Sequence, residues 1–84
     1  MENPKYKTYA LTLRPKDGVT DPQLEKLGEW IRKRSLYYHV ITEKQGSERH
    51  VHAGMVLKVP VTRGNFGTLV KRLFSELDQA EQRV

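Results

Sequence analysis

LYYHVITE at 36–43, KQGSER at 44–49 and HVHAGMVLKV at 50–59 are the stretch on which the fold turns. The first segment is dense in Tyr, Val and Ile, the residues that suit a pleated strand. The middle segment holds Gly46 and Ser47 among polar residues and reads as a six-residue hairpin loop, Lys44 to Arg49. The third alternates. Val51, Ala53, Met55, Leu57 and Val59 share one apolar face, and His50, His52, Gly54, Val56 and Lys58 take the other. That strand ends near Pro60, which has no N–H for a ladder.

Pairing the two strands across such a loop sets Glu43 opposite His50 and Ile41 opposite His52. Opposed residues have Cβ atoms roughly 4.5 to 5.5 Å apart and point to one face. His50 and His52 stand roughly 6 to 7 Å apart along their strand. Glu43, His50 and His52 therefore converge on the face away from the apolar row. A slip of one residue would turn Glu43 toward the core, where a carboxylate is costly.

The neighbouring segments fit around this hairpin. Tyr6 to Arg14 alternates and reads as a strand, broken by Pro15 to Gly18. Its Tyr9, Leu11 and Leu13 match the apolar face; Thr8, Ala10, Thr12 and Arg14 match the other. Thr20 or Asp21 caps a helix with Pro22 in its first turn, and Leu24, Leu27 and Ile31 form its apolar stripe beside Trp30. Arg32, Lys33 and Arg34 fall in its last turn, where cations favour the helix dipole. Thr62 or Asn65 caps a second helix, whose Phe66, Leu69, Val70, Leu73, Phe74 and Leu77 repeat at helical period. The polar tail, Asp78 to Val84, continues that helix or frays. The order β-α-β-β-α predicts an α+β fold of the ferredoxin-like, split β-α-β kind, lacking its closing strand. An antiparallel sheet would carry both helices on one face and leave the other open.

Eighty-four residues make one small domain. The chain has no Cys, which excludes disulfides and thiolate metal sites. The formal charge is +5, which suits a phosphate polymer as partner. No apolar run approaches the roughly 20 residues of a membrane span, and the polar segment Met1 to Lys7 lacks the apolar block of a signal peptide. An intracellular location is expected.

Two imidazoles and a carboxylate form a three-ligand set with open positions. Manganese, nickel, cobalt or zinc suits it, whereas magnesium prefers oxygen. A bound divalent ion can polarise and orient a phosphodiester. His39 shares the open face but lies further along its strand, and reads as a surface or substrate-contacting residue.

These residues resemble a known pattern. Tyr9-Ala10-Leu11-Thr12-Leu13-Arg14-Pro15 looks like motif I of viral replication initiators, and His50-Val51-His52 looks like their histidine-hydrophobe-histidine motif II. Glu43 sits where such proteins carry an acidic ligand. The resemblance is to HUH endonuclease domains of rolling-circle replication-associated proteins, closest to those of small circular single-stranded DNA viruses. It spans nearly the whole chain, read as a single domain 1–84. It implies a metal-dependent enzyme that nicks and rejoins single-stranded DNA at a replication origin through a phosphotyrosine intermediate. Glu43, His50 and His52 would hold the metal, most readily Mn2+, with Mg2+ possible in vivo. Thr8, Thr12, Arg14, His39, Arg49 and Lys58 would contact DNA. The setting would be the nucleus or cytoplasm of a host cell, with further domains such as a helicase in the full-length protein.

One part of the pattern is missing. The family's nucleophilic Tyr lies beyond the second helix, but Tyr6, Tyr9, Tyr37 and Tyr38 all precede the His pair. Tyr37 lies six residues from Glu43 along the strand, roughly 20 Å away. The chain therefore reads as one cut before the nucleophile motif, able to bind metal and DNA without cleaving covalently. The alternative is a non-catalytic single-stranded nucleic-acid binding module with an RNA-recognition-like fold, although the aromatic-rich strand of that class is absent.

Overall fold

A computed structural model describes residues 3–46, 48–77 and 81–83, with the backbone alone for Gln45 and Arg83. The elements are β1 (Lys5–Leu13), α1 (Asp21–Arg34), β2 (Ser35–Gln45), β3 (Glu48–Thr62), α2 (Arg63–Leu73) and β4 (Gln82–Arg83). One sheet holds the strands in the order β2-β3-β1-β4, every neighbouring pair antiparallel. The expected α+β class and the order β-α-β-β-α are both present, but the closing strand expected to be missing is there as the two-residue β4.

Side-chain alternation builds the core. Tyr9, Leu11 and Leu13 of β1 and Val51, Ala53, Met55 and Leu57 of β3 are buried on one face. Leu27 and Ile31 of α1 and Phe66 and Val70 of α2, with Phe74 at its C-terminal cap, close over them. The Tyr9 ring stacks on Phe66 with centroids 4.1 Å apart, and its hydroxyl donates to the Val61 carbonyl at 2.7 Å. Burying the ring while satisfying the hydroxyl ties β1, β3 and α2 at one point.

Both helices start as their sequences suggest. Thr20, not Asp21, is the α1 cap: its hydroxyl accepts from the Gln23 N–H at 3.2 Å, and the Gln23 side chain accepts from the Thr20 N–H at 3.0 Å. This reciprocal box satisfies donors that a helix start leaves unpaired. Thr62 likewise caps α2 by accepting from the Asn65 N–H.

Three expectations need correction. The β2–β3 ladder continues through Lys44↔Arg49 to Gln45↔Glu48, so the hairpin loop has two residues rather than six. Gly46, with φ +63°, supplies the positive φ that a two-residue hairpin turn needs at its first position. Shortening the loop by two residues on each side leaves Glu43↔His50 in register. Next, β3 does not stop near Pro60. It passes an irregularity between Val56 and Val61, resumes pairing with Tyr6 and Lys5, and ends at Thr62. Lys58, Val59 and Pro60 are exposed there, so Val59 leaves the apolar row it was expected to join. Pro60, lacking an N–H, falls in the unpaired part. Finally, the tail does not simply extend α2. That helix ends at Leu73, and Gln82 and Arg83 pair with Leu13 and Thr12. Residues 78–80 and 84 of the tail lie outside the described residues. Gln82 is buried and donates to the carbonyls of Phe74 and Leu77, satisfying acceptors at the α2 C-terminus. Among the described residues, no helix is long and apolar enough to cross a membrane.

Because Phe66 is fully buried and stacked on Tyr9, Phe66→Ala should lower unfolding stability by about 3–5 kcal/mol in chemical denaturation. A loss below about 1 kcal/mol would show that α2 does not anchor this core.

Candidate metal centre

His52 sits mid-ladder on β3, between Thr12 of β1 and Ile41 of β2. Its ring is half-buried. Nδ1 lies 3.4 Å from the Thr12 hydroxyl, and Nε2 lies 3.7 Å from a Glu43 carboxylate oxygen. Glu43 is paired by backbone with His50, yet its side chain reaches diagonally to His52. The expected register and the shared face are therefore both present.

His50 differs from expectation in its surroundings. It was expected to point into the open, but its side chain is only 8% exposed. β1 stops pairing at Leu13↔Val51, and the following chain folds back along this end of β3. The Val19 N–H donates to the Arg49 carbonyl at 2.8 Å. Gly18 has φ +81°, and a Cβ there would meet the Arg49 nitrogen at 2.8 Å, so the close approach and the backbone angle both call for glycine.

His50 Nε2 faces Glu48 at 3.9 Å. Glu48 was hidden in the expected loop. With the loop shortened, it shares a face with His50 two residues on, so period two alone would have revealed it. The acidic and imidazole groups thus stand as two pairs, Glu43–His52 and Glu48–His50. Among the described residues, no three His, Cys, Asp or Glu side chains form a ready ligand group. The donor set nonetheless suits a borderline divalent ion: two imidazoles and one or two carboxylates on adjacent positions. A hydroxyl at His52 Nδ1 is the kind of outer partner that orients a ligating imidazole through its other nitrogen.

The candidate DNA contacts divide. Thr8 and Arg14 are exposed and Thr12 is half-buried, all on β1 or at its end. His39 is exposed and lies over Gly54; a Cβ on Gly54 would collide with its imidazole. Thr8, Ala10, Tyr37, His39, Gly54 and Val56 help line a hollow of about 560 Å³ on the open face. Arg49 belongs elsewhere. It shares the parity of Val51, and its guanidinium donates to the Val19 carbonyl at 2.9 Å and pairs with Asp21 at 2.8 Å. It fastens the start of α1 to β3. Lys58 is turned by the β3 irregularity and borders a second hollow with Trp30, Lys33, Arg34 and Phe66.

No protein-family model, curated protein or solved structure matches this chain.

Gly54→Ala should displace the His39 ring at a stability cost within about 1 kcal/mol, because the obstructed atoms belong to an exposed side chain. In NMR spectra the His39 imidazole resonances should move while those of His50 stay. Global unfolding of the variant would show that the saddle at Gly54 is structural.

Proposed function

We propose that this chain is the metal and DNA platform of an HUH-type endonuclease, nicking and rejoining single-stranded DNA at a replication origin in rolling-circle initiation. The observation that carries the reading is the placement of Glu43 beside His52 and across from His50 on the sheet face without helices. Motif I, Glu43 and the His-Val-His motif occur in the order the resemblance requires. The ferredoxin-like assignment belongs to the same reading. It is supported by the element order β-α-β-β-α-β and by the strand order β2-β3-β1-β4.

Glu43, His50 and His52 would hold a divalent ion, Mn2+ most readily, with Glu48 beside them. A bound ion supplies Lewis-acid polarisation and orientation of a phosphodiester. Thr12 holds the His52 ring through Nδ1. Thr8, Arg14 and His39 offer hydroxyl, guanidinium and imidazole groups to a single strand crossing the sheet. The hollow beside Tyr37 and His39 has room for an unpaired base. Arg49 and Lys58 are left out of this contact set, since one is bound to α1 and the other borders the helix-side hollow.

One observation favours a second reading, a non-catalytic single-stranded nucleic-acid binding module. No tyrosine of the chain stands beside the Glu43–His52 pair within its own sheet. Tyr9 is buried with its hydroxyl bound, Tyr6 pairs opposite Val61, and Tyr37 pairs opposite Val56.

Mn2+ should raise the melting temperature of the chain, with stabilisation of about 2.7 kcal/mol at one hundred times Kd. Glu43→Ala and His52→Ala should abolish that response. An unchanged melting temperature, or an unaltered response in both variants, would contradict the metal site. Single-stranded oligonucleotides should bind more tightly than duplex, and the binding should weaken as salt rises. A denaturing gel separates the two functional readings: a metal-dependent nick with a protein–DNA adduct supports the endonuclease, and binding without cleavage supports the module.

A further inference from the structure

Strand β2 ends the sheet. Among the described residues it pairs with β3 alone, so its outer edge presents unpaired backbone donors and acceptors. Eleven residues make it roughly 35 Å long. The strand is apolar on both faces: Leu36, Tyr37, Tyr38 and Ile41 are 48–73% exposed, four of the six exposed large hydrophobics among the described residues. It has no proline, and Lys44 near its end is its one cation. Exposed edges are usually guarded by lysines, prolines or bulges along their length. Here the one irregularity lies between Ser35 and Tyr37, which leaves Tyr37 to Gln45 regular.

We propose that this edge pairs antiparallel with β2 of a second copy, about a twofold axis through Val40. Three features single out that occupant and register. Val40 is the midpoint of the eleven-residue strand, so pairing there uses its full length. Residues then oppose others of the same parity, which keeps the helices of both copies on one side and unites the two open faces. The ionised groups meet no like charge: Glu43 faces Tyr37 of the second copy, and Lys44 faces Leu36. The chain is cationic, but its net charge of +5 is carried almost wholly away from this edge.

The pairing has a consequence for the candidate metal centre, one that rests on the proposed function. Within one chain Tyr37 and Glu43 are roughly 20 Å apart. Across the axis, the Tyr37 phenol of one copy stands beside Glu43 of the other, with Cβ atoms roughly 4.5 to 5.5 Å apart on the open face. Each site thereby gains a phenolic hydroxyl that its own chain does not bring there.

Light scattering on the metal-free chain should give twice the 9.8 kDa chain mass at micromolar concentration, and Ile41→Lys should return it to one. An unchanged melting temperature in Ile41→Lys would show that the loss lies in the interface and not in the fold. Because the chain has no cysteine, Val40→Cys should oxidise to a disulfide-linked dimer. Tyr38→Cys should not, since its counterpart lies four residues away along the ladder. A monomer at all concentrations, or equal cross-linking of both variants, would overturn the proposal. Neither result depends on metal, so failure of the interface and failure of the metal site are read separately.

Discussion

The β2–β3 ladder is the constraint on which the rest of the molecule depends. Side chains in a strand alternate with period two, so one register fixes every face at once. Setting Glu43 against His50 places Val51, Ala53, Met55 and Leu57 under the helices and His52 beside Thr12 on the opposite face. Burial and chemistry demand the same register. A one-residue slip would either drive Glu43 inward, at the cost of an unpaired buried charge, or turn the four core residues of β3 outward.

Second to that ladder is the clasp at its end. Arg49 bonds to Val19 and Asp21, Gly18 lets the chain pass close to β3, and Thr20 starts α1 at once. The same fold-back lies beside a buried His50. A side chain held in this way changes position little, so any ion bound here must be met chiefly by Glu43 and His52.

Much of this was legible in the residues. The core face of β1 and β3, both helix caps and the shared face of Glu43 and His52 follow from periodicity and capping chemistry, which are local. What escaped was set by longer-range contacts. The hairpin loop was read too long because polar residues such as Lys44, Glu48 and Arg49 look like loop, yet a primed turn at Gly46 lets them pair. The same reading leaves Glu48 and Arg49 in a loop, so Glu48 goes unnoticed and Arg49 joins the DNA contacts instead of the α1 clasp. Lys58 was misplaced because alternation fails at an irregularity, and only the pairing with β1 reveals it. β4 has two residues, too few for any periodic signal, and is held by Gln82 capping α2.

The central claim is that Glu43, His50 and His52 together form a divalent-metal site. Substoichiometric Mn2+ added to the labelled protein tests it most directly, because paramagnetic broadening reports which nuclei lie nearest the ion. The account predicts that the imidazole signals of His50 and His52 and the side-chain signals of Glu43 broaden first, with Thr12 close behind and His39 later. Broadening that begins at His39, or that spreads evenly over surface carboxylates such as Asp17 and Glu25, would contradict it.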